Sequence, residues 1–281
     1  MSENIKFGGY FYPFPQHKSI SHIENAEATL RRKIEVVMWY QQWGTPFSGK
    51  NFHPNWVKSV GDRDVLIKWE PKKSLAKPSD TSFSVTSIAA GKFDKYIERW
   101  AKSAATVDKQ IYLCPMNEMN GFWFGWSKVI GGHSPKDYIA AWKHMYDIFL
   151  ANDATNVQWV WAPNTGDMPA DNRLEDYYPG SEYVDVLGLS VYNWGTARKW
   201  TSWHSFQEIV RPYYDRISKL GEQAIWVTEM GCSPEGGDKQ AWIQDMWEYL
   251  PQLPRLEALL WFNMKKETDW RATETPEAFW P

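Results

Sequence analysis

Only two of the 281 residues are cysteine, Cys114 and Cys232. That excludes a disulfide framework and any multi-cysteine zinc site. Each lies on or just past an apolar run, so two buried thiols are expected. A bridge between them would need two strand ends to lie close. No apolar run is long enough to span a membrane, and no linker, repeat or low-complexity tract interrupts the chain. A strong charge of one sign is also missing. The 31 basic and 34 acidic residues leave a formal net charge of -3, whereas a nucleic-acid partner calls for a concentrated basic face. No Gly-rich phosphate loop follows a β-prone run, and no G-x-S-x-G elbow marks a serine hydrolase. The six histidines, His17, His22, His53, His133, His144 and His204, include no i, i+4 pair. No metal is implied, and His144, in a helical stretch, reads as structural.

Leucine and isoleucine are sparse, and aromatic residues take their place. There are 19 tryptophans, 14 tyrosines and 13 phenylalanines, 16% of the chain. Many must fill the core. Flat indole faces also stack on the apolar C–H faces of pyranose rings, so the excess hints at a sugar site.

Apolar, β-rich runs recur eight times: Lys6 to Phe11, Glu35 to Trp43, Val65 to Pro71, Ile111 to Met119, Val157 to Asn164, Val184 to Trp194, Ala224 to Cys232 and Leu256 to Met264. Helical periodicity fills Phe93 to Thr106, Pro135 to Leu150, Phe206 to Leu220 and Lys239 to Leu250. Ser134-Pro135 reads as an N-cap followed by proline at the first helical position. Runs apolar on both faces suit parallel strands covered by helices. Eight β/α alternations predict a (β/α)8 barrel, residues 1–281 forming one domain. Residues 72–87 and 164–180 read as long βα loops, the first of them on the active face.

Two glutamates carry the chemistry. Glu118 sits in IYLCPMNEMNGFWFGW and Glu229 in AIWVTEMG, each where its run stops and each among aromatics. In a (β/α)8 barrel the strand C-termini form the active face. These residues would end strands four and seven and face each other across the mouth. A carboxyl separation of about 5–5.5 Å would allow double displacement with retention, Glu118 as acid then base and Glu229 as nucleophile. Ionised Glu229 would help to raise the pKa of Glu118. Two carboxylates suffice for this chemistry, so no cofactor is expected.

Asn117-Glu118-Met119-Asn120-Gly121-Phe122-Trp123 resembles the acid/base motif of glycoside hydrolase family 26, close to His-Glu-Met-Asn-Gly-x-Trp. Trp226-Val227-Thr228-Glu229-Met230-Gly231 resembles its nucleophile motif. The resemblance covers the whole chain. It implies that Tyr192 orients Glu229, that Trp123 stacks near the scissile bond and that Trp261 floors the sugar site. Trp69 and Glu70, at the end of strand three, stand where the family tends to have Trp-His. Both are expected to contact sugar, with Glu70 otherwise pairing with a base such as Lys68. Trp126 and Trp194 are further aromatic candidates at the mouth. The histidine before the acid/base is here Asn117. In the wider clan an asparagine at that place hydrogen-bonds the sugar 2-hydroxyl, which is axial in mannose and equatorial in glucose and xylose. The resemblance is therefore nearest to the lichenase branch, acting on mixed-linkage β-1,3-1,4-glucan, with β-mannan second and xylan third. A non-catalytic carbohydrate-binding protein is the alternative of another class, and has no use for two opposed glutamates. The expected partner is a polysaccharide, with no nucleic acid or membrane, and a monomer. The segment MSENIKFGGY has no signal-peptide h-region. An intracellular protein or one with its leader removed would both fit, and secretion is the expectation.

Overall fold

All eight apolar runs form strands. The computed structural model describes residues 5–15, 19–44, 52–73 and 77–280; His17 and residues 74–76 of the first expected loop lie outside them. In chain order the elements are β1 (Lys6–Phe11), α1 (Ser21–Leu30), β2 (Val36–Gly44), α2 (Pro54–Ser59), β3 (Asp64–Lys73), α3 (Val85–Ala89), α4 (Asp94–Ala105), β4 (Ile111–Pro115), α5 (Lys128–Gly131), α6 (Pro135–Ala151), β5 (Val157–Trp161), β6 (Val186–Asn193), α7 (Phe206–Ile217), β7 (Ala224–Cys232), α8 (Lys239–Tyr249) and β8 (Leu256–Asn263). The strands close in sequence order into one barrel, and β1 pairs parallel with both β2 and β8. This is the (β/α)8 barrel expected from the alternation.

Ser134 caps α6 as its sequence suggests. Its hydroxyl accepts from the Asp137 amide, and the Asp137 carboxylate accepts from the Ser134 amide, a reciprocal capping box. His144 on α6 contacts Asp94 of α4 at 2.7 Å and joins the two helices. Between β5 and β6 two short 3-10 turns, Leu174–Tyr177 and Ser181–Tyr183, stand where a helix would. The loop at 72–87 is shorter than expected, because β3 runs on to Lys73 and α3 begins at Val85. Both cysteines are free, buried thiols, and burial pushes each up to about 12.

The tryptophans chiefly join sheet to helices, and ten of the 19 are fully buried. Alternation along β3 sends Lys68 and Glu70 inward and Trp69 outward. The Trp69 ring lies 4.9 Å from Trp100 and 5.9 Å from Tyr96, both on α4, and 5.9 Å from Phe149 on α6. Its indole N–H donates to the Tyr96 hydroxyl. Trp261 likewise faces Trp242 of α8 and Phe279. The composition is therefore mainly a packing choice, with large rings filling the layer that Leu and Ile fill elsewhere. Trp69→Ala is expected to cost about 3–5 kcal/mol of unfolding free energy, the usual loss for a buried aromatic. Urea denaturation would read this as a lowered midpoint at unchanged slope. A loss under about 1 kcal/mol, the range of a mutation without packing consequences, would contradict this placement.

Candidate active site

β4 stops earlier than its apolar run. Met116 (φ 50°) and Glu118 (φ 56°) both adopt left-handed backbone, costly for residues with a Cβ and kept only where the surroundings over-determine it. They do so here. The Glu118 amide donates to the Ala162 carbonyl at 2.8 Å and the Gly121 amide to the Glu118 carbonyl at 3.1 Å. The Tyr138 hydroxyl donates to the Met116 carbonyl at 3.2 Å and the Trp126 indole to the Asn117 carbonyl at 2.7 Å. Farther along, the Asn120 side-chain amide donates to the Asn164 carbonyl and to Asp167, each at 2.9 Å. The long loop after β5 thus anchors the acid-bearing segment. Gly121 is required because a Cβ there would sit 2.5 Å from the Trp123 ring. Trp123 folds back and donates its indole N–H to Glu118 Oε2 at 2.8 Å.

Glu229 lies inside β7, three residues before its end. Ser190 of β6 pairs with Glu229 whereas Leu189 pairs with Val227, so Thr228 is an extra residue. The pairing with β8 shifts at the same place. Such a bulge re-aims the side chain that follows it, here into the barrel. Its Oε1 accepts from the Tyr192 hydroxyl at 2.5 Å, and its Oε2 is bound by the Lys68 ammonium. The Tyr40 hydroxyl is a further donor.

The two carboxyls share one buried setting but are pushed in opposite directions. Burial raises the pKa of Glu118, and the negative charge of Glu229 raises it further; Lys68, Ser190 and Trp123 only partly oppose this. Burial would raise Glu229 too, but the charge and hydrogen bond of Lys68, with the Tyr192 and Tyr40 hydroxyls, bring it below its ordinary value. Tyr40 and Tyr192 are pushed well above the usual phenol range by burial and then by Glu229, so they remain donors at neutral pH. A protonated acid beside an ionised carboxylate is the division that acid-assisted nucleophilic displacement requires. Each is 8% exposed, so both are reachable from the mouth.

Of the other expected site residues, Tyr192 and Trp123 hydrogen-bond the two carboxyls, Glu70 lies near enough for its charge to act on Tyr40, and Asn117 directly precedes the acid in the chain. Asn117 is buried, and its Oδ1 has no protein partner. Glu70 accepts from Gln42 at 2.6 Å and pairs with Lys72 at 3.2 Å; it does not pair with Lys68, which is turned to Glu229. Trp194 is half-buried, edge-on to Trp270 at 4.9 Å. Trp69 and Trp261 do not reach the site, because each points outward into the helical layer. Trp126 holds the acid-bearing segment through the Asn117 carbonyl and makes no hydrogen bond to either carboxyl. It is buried, stacks on Phe124 at 4.3 Å and supports the loop from below. The β8 aromatic that faces the carboxylates is Phe262, whose ring lies 6.2 Å from Tyr40 and 6.3 Å from Tyr192. A shift of one residue along a strand reverses the face. Lys68 and Tyr40 are the residues that sequence reasoning missed. The signal was a lone lysine within the apolar run VLIKW, since lysine is almost never fully buried unless paired. Among the described residues, no group of three His, Cys, Asp or Glu side chains is placed to hold a metal ion.

Residues 81–225, which include Glu118 and end before Glu229, match the family described as Glycosyl hydrolase family 26. Over 99% of its length the chain is 32% identical to Endoglucanase H of Acetivibrio thermocellus, of which it spans only 30%. Over 28% of its length it is 37% identical to Mannan endo-1,4-beta-mannosidase A and B of Caldalkalibacillus mannanilyticus, 16% of which is covered. Among solved structures, the catalytic domain of the Bacillus sp. JAMB-750 GH26 endo-beta-1,4-mannanase superposes with a TM-score of 0.72 at 17% identity, over 99% of this chain and 85% of that one. At that identity the likeness concerns the fold alone.

Proposed function

The chain belongs to glycosyl hydrolase family 26, and on that premise we propose that it cleaves internal β-glycosidic bonds of a polysaccharide with retention of configuration. The observation that carries this reading is the unequal pair in one buried centre, Glu118 pushed up by burial and the charge of Glu229, and Glu229 brought down by Lys68, Tyr192 and Tyr40. In the first half, a Glu229 oxygen bonds the anomeric carbon as the bond to the leaving oxygen breaks. The departing electron pair takes the Glu118 proton. In the second half, water attacks the same carbon, its proton passes to Glu118, and the ester bond's electron pair returns to Glu229. The Tyr192 and Tyr40 hydroxyls and Lys68 hold the nucleophile in one orientation, so little reorganisation is needed as charge moves.

Mixed-linkage β-1,3-1,4-glucan is the substrate that this reading favours. Asn117, next to the acid in the chain, carries a buried side-chain oxygen with no protein partner, and the resemblance assigns an asparagine at that place to the sugar 2-hydroxyl. Similarity to an endoglucanase along nearly the whole chain supports the same choice. β-Mannan is the second reading, favoured by the stretch similar to a mannan endo-1,4-beta-mannosidase. Reducing ends released from barley β-glucan, lichenan, galactomannan and xylan would separate them. Activity on the glucans alone supports the first reading, and activity mainly on galactomannan the second. No release from any of the four would sink the hydrolase proposal. Proton NMR of the first-formed product should show the β anomer; an α product would exclude retention.

Asn117→His is expected to shift the glucan-to-mannan ratio of kcat/KM towards mannan by about tenfold or more, the value of one or two rearranged hydrogen bonds to a substrate hydroxyl. An unchanged ratio would remove the 2-hydroxyl argument while leaving the mechanism in place.

A further inference from the structure

We infer that Lys68 is a positioning residue that holds the Glu118–Glu229 pair to a single proton through both halves of the reaction. The inference rests on the hydrolase reading above and adds to it a residue outside both glutamate motifs. Lys68 is fully buried on β3, with its ammonium on Glu229 Oε2. It also feels the charge of Glu118. The other groups facing Glu229 are Tyr40 from β2, Tyr192 from β6, Cys114 from β4 and Glu118 from the segment after β4. Farther out, Glu70 acts on Tyr40 and Glu267 on Tyr192. Burial keeps both phenols and the Cys114 thiol neutral. Among the described residues, Lys68 is therefore the cation set directly against the pair.

Charge balance gives that cation its role. In the resting enzyme Glu118 is neutral, Glu229 carries one negative charge and Lys68 one positive charge. In the glycosyl-enzyme Glu118 has lost its proton and is negative, Glu229 is a neutral ester and Lys68 is still positive. The buried cluster is neutral in both states, and the negative charge moves from one carboxyl to the other within the field of Lys68. Without the lysine each state would bury an unbalanced carboxylate, which is costly and is relieved by taking up a second proton. The second proton would disable Glu229 as nucleophile in the first state and Glu118 as base in the second.

Lys68→Met keeps the length of the stem and removes the charge. The acid limb of kcat/KM on an activated aryl β-glycoside is expected to move up by about one pH unit or more, as loss of a neighbouring opposite charge does. Near neutral pH, hydrolysis of the glycosyl-enzyme should become the slower half, seen as a pre-steady-state burst of aryl alcohol absent from the wild type. A merely structural lysine would lower kcat at all pH values without moving the limb or creating a burst. Titration of side-chain carboxyl 13C signals, with Glu229 assigned by comparison with Glu229→Gln, reads the same shift without turnover. If that titration shifts while the wild type cleaves no glycan, the ion pair stands and the hydrolase reading fails. Should Lys68→Met not fold, Lys68→Arg carries the test, because it retains the charge and should leave the acid limb in place. A folded Lys68→Met with limb, titration and burst all unmoved would overturn the inference, as would a Lys68→Arg limb raised by a full unit.

Discussion

Glu229→Ala is expected to abolish turnover of polysaccharide and activated aryl glycoside alike, by more than about 10⁴-fold in kcat, the scale on which removal of a covalent nucleophile acts. Both substrates depend on the same attack at the anomeric carbon, so a good leaving group gives no relief. The substitution also strips Lys68 of its partner. An unpaired buried ammonium costs about 3–5 kcal/mol when one member of a buried pair is removed, so the variant should unfold at lower urea. Glu229→Gln keeps an acceptor for Tyr192 and Lys68 and should recover part of that stability with none of the activity. Azide added to Glu229→Ala can enter the vacated space and attack an activated glycoside from the same face. The product would be the α-glycosyl azide, identified by its anomeric coupling. Turnover within tenfold of wild type would show that Glu229 is not the nucleophile.

Glu118→Ala should divide substrates by leaving group. Hydrolysis of polysaccharide, whose departing hydroxyl must be protonated, is expected to fall by about 10²–10⁴-fold, the usual contribution of a positioned acid. A dinitrophenyl glycoside, whose leaving group departs as an anion, should still be attacked by Glu229 at near the wild-type rate. It would then accumulate as glycosyl-enzyme because the base is gone, so a burst should precede a slow steady state. The pH profile checks the same assignment. Glu118 must be protonated in the first step and its pKa is raised, so wild-type activity is lost as pH rises through that value. Glu229 must be ionised and its pKa is lowered, so activity is lost as pH falls through the lower value. The variant assayed with the dinitrophenyl substrate should keep the acid limb and lose the alkaline limb from the burst rate. Equal losses on good and poor leaving groups would count against Glu118 as the acid.

Much of the barrel was legible in the sequence because it rests on local and periodic signals. Two strands, Lys6–Phe11 and Ala224–Cys232, fall where their apolar runs do. The four helices read from periodicity lie within three residues of their expected ends. Strand ends were less legible, because tertiary contacts set them. β4 was expected to continue to Met119 but stops at Pro115, where hydrogen bonds from outside the strand hold Met116 and Glu118 in left-handed backbone. β5 stops at Trp161, two residues short of Pro163, which cannot donate to a ladder.

The site divides in the same way. Glu118 and Glu229 could be picked out from the sequence because each lies where an apolar run ends among aromatics, and Asn117, Tyr192 and Trp123 through the resemblance to family 26. Which face a tryptophan takes could not be read from strands apolar on both sides, where alternation leaves no mark. Trp69 and Trp261 therefore went to the helical layer, and Phe262 to the mouth. By itself the sequence determined the barrel and the residues that bring two carboxyls to its active face. Only the tertiary structure shows the groups that set the two carboxyls apart. Lys68 lies 161 positions from Glu229 along the chain and Tyr192 lies 37, and a bulge in β7 turns Glu229 towards both. Pairing across a closed barrel depends on strand register, which no local run of residues specifies.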